Sequence, residues 1–207
     1  MKTDLPKQFL PLGDKLVLMH TLERFFTFDP TTQLILTLPP DWKNYWKECC
    51  DNHDFKINHH LVDGGEQRYD SIKNALDVAE GDYIAIHDGV RPLVSNQTLK
   101  KVMKEAEKSG AAIPVLPVND SLRKLQMDKN TAVDRSLFYT VQTPQCFSKK
   151  IIFEAYDQPI DIKTTDDASL VEKLGVPISL VEGNQENIKI TTPLDLKIAN
   201  FLIEKDK

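Results

Sequence analysis

The spacing of apolar residues changes repeatedly along the chain, and each change marks an element. Leu18, Leu22, Phe25 and Phe26 recur at i, i+4, i+7 and i+8, which predicts a one-faced helix over about 15–28. Leu34 to Leu38 is a short apolar run stopped by Pro39 and Pro40, hence a strand. Asp41 then caps a helix striped with Trp42, Tyr45, Trp46 and Cys49, a pattern that reads as core rather than as a cofactor box. Ile57 to Val62 is a second strand, and the Gly-rich turn Asp63-Gly64-Gly65-Glu66-Gln67-Arg68 leads into a helix that buries Ile72, Ala75, Leu76 and Ala79. Ile84-Ala85-Ile86 is a buried strand that closes in Asp88, Gly89, Arg91 and Pro92. Ser95 caps the next helix, Gly110 ends it, and Ala111 to Leu116 is again a strand. This alternation predicts an α/β fold, Rossmann-like, with a mostly parallel sheet.

The alternation then breaks. Residues 117–125 and 131–135 flank Met127-Asp128-Lys129-Asn130 and read as a polar β-hairpin, an arm inserted at about 117–138. A two-stranded hairpin is marginal alone in water, so this one is expected to pack on a partner subunit or to lid a site. The chain returns to the sheet through residues 139–145. Ser148 and Asp166 each start a short helix, and strands are expected at 178–181 and 187–190. Thr192 caps the last helix, with Pro193 at its first position, Asp195 at N3, and Leu194, Ile198, Phe201 and Leu202 as its expected buried face. There is no repeat and no linker, so residues 1–207 read as a single domain.

Composition narrows the class. A hydrophobic content of 41% and a charged content of 28% are ordinary for a soluble globule with a good core. The net charge of -5 argues against nucleic acid as the partner, although it leaves room for a local basic pocket. No apolar run approaches the roughly 18 residues of a membrane span, and the start has no apolar signal region, which points to the cytoplasm. Cys49, Cys50 and Cys146 form neither a disulfide framework nor a zinc spacing, as expected of reduced thiols.

The candidate chemistry lies at strand ends, where open α/β sheets bind ligands. Asp88 sits there beside Arg91, and on that stretch alone two readings stand. Asp88 caps a loop and pairs with Arg91, or it holds a Mg²⁺ that bridges phosphates. Lys7, Thr143, Thr165, Asp166 and Lys189 fall at other strand ends, and Ser121 and Arg135 lie on the hairpin. Singly, Lys7 and Lys189 read as solvated lysines. His59 and His60 read as structural, and His87 as a packed histidine that orients its loop. No Ser-His-Asp or Cys-His set is present, and no G-x-G-x-x-G follows a strand, which discounts a dinucleotide-binding dehydrogenase. Cations gathered around one carboxylate suit phosphoryl or nucleotidyl transfer, where positioning and charge stabilisation do nearly all the work.

A family resemblance rests on motifs that run nearly end to end. They are Pro6-Lys7-Gln8-Phe9-Leu10, Asp63-Gly64-Gly65-Glu66-Gln67-Arg68 with Ser71, His87-Asp88-Gly89-Val90-Arg91-Pro92 and Val133-Asp134-Arg135. They continue with Gln142-Thr143-Pro144-Gln145, Thr165-Asp166-Asp167-Ala168-Ser169 and Val181-Glu182-Gly183 with Asn187-Ile188-Lys189. In this order they resemble the 2-C-methyl-D-erythritol 4-phosphate cytidylyltransferases. The resemblance implies a nucleotidyltransferase-type fold and a homodimer made through swapped β-arms. It also implies Mg²⁺ as cofactor, CTP and methylerythritol phosphate as substrates, and the CDP-alcohol and pyrophosphate as products, in non-mevalonate isoprenoid synthesis. It implies that Lys7 stabilises the transition state at the α-phosphate and that Asp88 holds Mg²⁺ or the substrate hydroxyls. Gly65, Glu66 and Ser71 would read the cytosine, with Gly89 near the ribose. Arg135 and Ser121 would reach the methylerythritol phosphate from the other subunit, and Lys189, Thr143, Thr165 and Arg91 would complete its pocket. Ser121 and Glu66 stand where the family commonly has Thr and often has Asp, swaps that keep the hydrogen-bonding group.

One departure accompanies the resemblance. The family opens with a buried strand and a Gly-rich loop ahead of the segment that matches Lys2 onward, and neither has a counterpart in this chain. An open slot in the centre of the sheet, with unpaired ladder groups, is therefore expected. Two other readings stay open: a cytidylyltransferase for another polyol phosphate, such as ribitol 5-phosphate, and a truncated, non-catalytic dimeric homologue.

Overall fold

A computed structural model describes residues 5–159 and 166–205. A tight turn of β1 (Pro11–Leu12) and β2 (Lys15–Leu16) precedes α1 (Val17–Phe28). Then come β3 (Ile35–Leu38), α2 (Pro40–Asn52), β4 (His60–Asp63), α3 (Arg68–Leu76), β5 (Tyr83–Ile86) and α4 (Asn96–Ser109). They are followed by β6 (Ala111–Pro117), β7 (Leu122–Gln126), β8 (Lys129–Val133), β9 (Tyr139–Val141) and β10 (Gln145–Ser148). The chain closes with α5 (Lys149–Tyr156), α6 (Asp167–Glu172), β11 (Ser179–Glu182) and α7 (Pro193–Lys205).

The caps explain several boundaries. Ser95 accepts the Thr98 N–H at 3.0 Å to start α4, and Gly110, at φ 83°, ends it in the left-handed conformation that glycine takes without strain. Asp166 accepts the Ser169 N–H at 3.1 Å to start α6. Thr192 and Asp195 bond reciprocally at the start of α7, at 2.6 and 3.3 Å. α2 begins two residues earlier than expected, with Pro39 as its cap, Pro40 at its first position and Asp41 inside it.

The main sheet is five-stranded and mixed rather than mostly parallel. β6 pairs in parallel with β11, but β10 runs antiparallel between β5 and β6, and β9 runs antiparallel on β6. The reason is topological. No crossover helix separates β6 from the hairpin β7–β8, so the chain re-enters the sheet in the opposite sense. The expected strand at 187–190 is not a strand; that segment is irregular, and the Asn187 carbonyl and side chain serve loop contacts instead.

β3 and β4 form a separate parallel pair. Between β3 and β5 lies a cavity of about 760 Å³, lined by Ile35 and Thr37 on one edge, Ile84 and Ala85 on the other, and walled by Phe25 and Leu76. The sheet is thus interrupted where the sequence led us to expect a slot. Two cores flank the break. One gathers Phe9, Trp46, Leu18 and Leu36, with the Phe9 ring 5.2 Å from Tyr45 and 5.4 Å from Trp42. The other gathers Ile86, Ile113, Phe147, Ile152 and Leu170 across β5, β6, β10 and the helices behind them.

α7 packs through Leu196, Ala199 and Ile203, against Leu12, Val17 and Ile190. The expected face is therefore corrected: Leu194, Ile198 and Phe201 are exposed, and only Leu202 of that set is partly buried. The two stripes are both apolar and lie about half a turn apart, so periodicity alone did not choose between them.

Candidate active site

Asp88 follows β5 at its carboxyl end, and its side chain is 14% exposed. One carboxylate oxygen, Oδ2, receives Arg91 Nε at 3.0 Å and Lys189 Nζ at 3.2 Å. Burial alone would raise the Asp88 carboxyl; Lys189 and Arg91 outweigh it and hold it below the usual carboxylate range. One anion against two cations leaves a local excess of positive charge, with the Lys189 ammonium half-exposed above it. That arrangement suits an anion.

The loops that bring these groups together are tied by buried amides. Arg91 Nη1 donates to the Asn187 carbonyl at 2.7 Å, and Asn187 Nδ2 donates to the Thr143 carbonyl at 2.8 Å. Gln142 Nε2 donates to the Asn184 carbonyl at 2.9 Å, while Asn184 Oδ1 takes the Ser95 N–H at 3.1 Å and the Thr98 hydroxyl at 3.0 Å. The segment carrying Lys189 is so fixed against both the 88–91 turn and the start of α4. Asn187 and Gln142, at 0% and 5% exposure, were missed by sequence reasoning as structural members of the site; their motif placement was the only signal. Thr143 is buried too, and its hydroxyl bonds the Asp88 N–H at 3.1 Å and His87 Nδ1 at 3.0 Å. The Thr143–Pro144 peptide is cis.

The Gly-rich turn forms a second rim. Gly65 N–H donates to Ser71 Oγ at 3.0 Å, and a Cβ on Gly65 would fall 2.1 Å from that of Asp70, so only glycine fits. Glu66 is exposed beside it. Gln67 and Asp70 form a capping box for α3. Arg68 reaches across to Asp167 with two parallel bonds of 2.9 and 2.6 Å, and the Tyr156 hydroxyl donates to the same carboxylate at 2.6 Å. Burial first, and then the Asp167 charge, push the Tyr156 phenol far up. This triad joins the Gly-rich turn to the start of α6, and nothing in the spacing of its members announced it. Gln145 reinforces it, with Oε1 accepting the Asp167 and Ala168 N–H groups at 3.1 and 2.9 Å.

The remaining expected residues are placed less centrally. Lys7 is half-buried on a single 3-10 turn anchored by Phe9, and forms no ion pair with a described residue. Gly89 lies where a Cβ would stand 3.2 Å from Leu18, and its carbonyl takes the Thr21 hydroxyl at 3.0 Å. Ser121 and Arg135 are exposed on the arm; Arg135 bonds the Asn119 carbonyl, and no hydrogen bond or ion pair among the described residues joins either to Asp88. Thr165 lies outside the described residues. No group of three or more His, Cys, Asp or Glu suited to a metal ion occurs among the described residues. The cysteines are free, and burial raises all three thiols, which removes them as nucleophiles.

A mixed α/β sheet with two cations gathered on a carboxylate beyond a strand end, and a Gly-rich turn in the same fold, is the arrangement of a nucleotidyltransferase type of protein. Comparison with known proteins gives the family. The family model for 2-C-methyl-D-erythritol 4-phosphate cytidylyltransferase matches residues 1–205. The cytidylyltransferase of that name from Bacteroides fragilis is 48% identical over 204 residues, covering 98% of this chain and 93% of the relative. The crystal structure of the Thermus thermophilus enzyme superposes with a TM-score of 0.83 at 34% identity, covering 96% of this chain and 94% of that one. The synthase from Anaerococcus prevotii gives 0.86 at 27% identity, covering 97% and 91%. The chain belongs to the 2-C-methyl-D-erythritol 4-phosphate cytidylyltransferase family. Its activity is that of a cytidylyltransferase in isoprenoid biosynthesis, acting on CTP and 2-C-methyl-D-erythritol 4-phosphate.

Proposed function

We propose that the Asp88 cluster receives the methylerythritol phosphate and that the Gly64–Ser71 turn receives the cytosine of CTP. The observation that carries this reading is Asp88 held between Arg91 and Lys189 at a strand end, a site with one carboxylate and surplus positive charge. In the reaction a phosphate oxygen of the polyol phosphate attacks the α-phosphorus of CTP. The new P–O bond forms as the bond to the β-phosphate breaks, and pyrophosphate leaves with the electron pair. The attacking oxygen is already anionic, so no base is needed; the barrier is the approach of two anions. Lys189 and Arg91 lower it on the acceptor side, and Lys7 on the α-phosphate side. Thr143 and Thr165 complete the acceptor pocket, Glu66, Gly65 and Ser71 read the base, and Gly89 admits the ribose.

Mg²⁺ fits this donor set in one way only. A single carboxylate already shared by two cations makes no cage, so Asp88 would hold the ion only alongside phosphate oxygens of the nucleotide. It supplies charge neutralisation at the phosphates.

The protein works as a homodimer through the β7–β8 arm. Leu125, Met127 and Leu137 are 75, 91 and 76% exposed there, large apolar side chains on an element with no core of its own. Dimerisation would bring Ser121 and Arg135 to the partner's pocket. No helix among the described residues is long and apolar enough to cross a membrane. With three free thiols, the cytoplasm suits the chain.

The test is an assay of pyrophosphate release with CTP, Mg²⁺ and either polyol phosphate. Methylerythritol phosphate should exceed ribitol 5-phosphate in kcat/KM by about a hundredfold or more. Equal turnover of the two would overturn the substrate assignment. Sedimentation should give a dimer that Leu137→Asp splits; a wild-type monomer with full activity would remove the arm from the site.

A further inference from the structure

The hydrogens around His87 can be placed by elimination. The Arg91 carbonyl only accepts, so His87 Nε2, 3.0 Å away, carries the ring hydrogen. Neither ring nitrogen is bonded to a carboxylate that would hold a second proton on the ring, so the ring is a neutral imidazole and Nδ1 is a bare acceptor. Thr143 Oγ1, 3.0 Å from Nδ1, must then donate its single hydrogen to the ring. The same oxygen accepts the Asp88 N–H at 3.1 Å. One directed chain therefore runs from Asp88 N–H through Thr143 and His87 to the Arg91 carbonyl, and it clasps both ends of the 88–91 turn. The ring is held edge-on to Phe25 at 4.9 Å, and the charged groups acting on it are Asp88 and Arg91.

We infer that His87 is a positioning residue of the acceptor site: it fixes the Thr143 hydroxyl as a hydrogen-bond acceptor and sets the turn that aims Asp88 and Arg91. The inference rests on the reading of Thr143, Asp88 and Arg91 as contacts to the polyol phosphate. It also sharpens that reading. With its hydrogen committed to His87 and one lone pair to Asp88, Thr143 has one lone pair left. Such an oxygen meets a donor, so the group it recognises is a substrate hydroxyl and not a phosphate oxygen. An acyclic phosphate lacking that hydroxyl would leave the lone pair unanswered.

Four proteins decide the matter: Thr143→Val, His87→Leu, His87→Gln and the double variant Thr143→Val/His87→Leu. Each is assayed for KM of methylerythritol phosphate and of CTP. Thr143→Val and His87→Leu should each raise the first about tenfold and move the second less than about twofold. The double variant should be no worse than about the poorer single one, because the two act as a unit. His87→Gln, which keeps one donor and one acceptor, should recover to within about threefold of wild type. Additive penalties, or equal rises in both KM values, overturn the positioning role while Thr143 stands as a contact. An unchanged KM in Thr143→Val instead removes Thr143 from the site, and the inference falls with that reading. Should His87→Leu fail to fold, ¹⁵N shifts of the wild-type ring at pH 7 decide. A protonated Nε2 with a bare Nδ1 supports the assignment, and the opposite tautomer or a cationic ring overturns it.

Discussion

Asp88 shares a single carboxylate oxygen between Arg91 and Lys189, and the two lysines of the site differ in where they stand relative to it. Lys189 belongs to the resting network, and it contributes to holding the incoming phosphate. Lys7 has no ion pair among the described residues and stands outside that network. Lys189→Ala should therefore raise KM for the polyol phosphate by about tenfold or more with a smaller effect on kcat, and Lys7→Ala should lower kcat by about a hundredfold. Steady-state kinetics with each substrate varied will check both; an unchanged kcat in Lys7→Ala would count against its place in the transition state. The histidine carries a stability consequence as well. Unfolded, it titrates near 6.5, whereas burial holds it near 4 in the fold. Between those values the unfolded chain binds the extra proton, so stability falls as pH drops from about 6.5 toward 4 and levels off below. The loss is on the order of 3 kcal/mol. His20, also lowered by burial, adds in the same direction, so the measurement is the difference in urea midpoints between wild type and His87→Gln across that range. Parallel losses in both proteins would acquit His87. At this scale the pairing of Asp88 with Arg91 was legible because the two stand three residues apart just past β5, whereas the contact of Lys189 with Asp88 was not, since 187–190 is no strand. The Thr143–His87 bond was not, since it joins residues 56 apart in the chain.

Among elements, the tie between α3 and α6 matters most for the pocket. Asp167 is 1% exposed on its side chain and is answered by Arg68 from one helix and Tyr156 from another. Removing the cation leaves a buried carboxylate without its partner, so Arg68→Ala should cost about 3 kcal/mol in urea unfolding. Arg68→Lys should recover little of it, because an ammonium cannot make the paired contact. Since Arg68 also starts the helix after the Gly-rich turn, both variants should raise KM for CTP; a stability loss without that rise would separate the tie from the nucleotide site. Caps and turns were the legible part of this level. Ser95, Gly110, Ser148, Asp166 and Thr192 each mark the boundary their chemistry predicts. The orientation of β10 and the packing face of α7 were not legible. The first depends on a missing crossover and the second on which of two apolar stripes meets Val17 and Leu12.

For the whole molecule, the sheet is two bodies of strands held in register by helices and not by a continuous ladder. α1 and α3 wall both edges of the break, so the arrangement stands on side-chain packing where backbone pairing is interrupted. Successive residues of a strand point their amides to opposite edges. Since Leu38 and Leu34 carbonyls serve β4, the groups of Ile35 and Thr37 turn toward the cavity. Likewise the Lys149 N–H bonds the Asp82 carbonyl, which assigns Ile84 and Ile86 to β10 and turns Ala85 toward the cavity. The cavity should therefore be readable as a clock. In deuterated buffer Ile35, Thr37 and Ala85 should exchange their amide hydrogens at least about a hundredfold faster than Leu36, Ile84 and Ile86. Fast and slow residues would alternate along strands that otherwise sit at the centre of the fold. Uniform protection along both strands would mean that something bridges the two edges in solution.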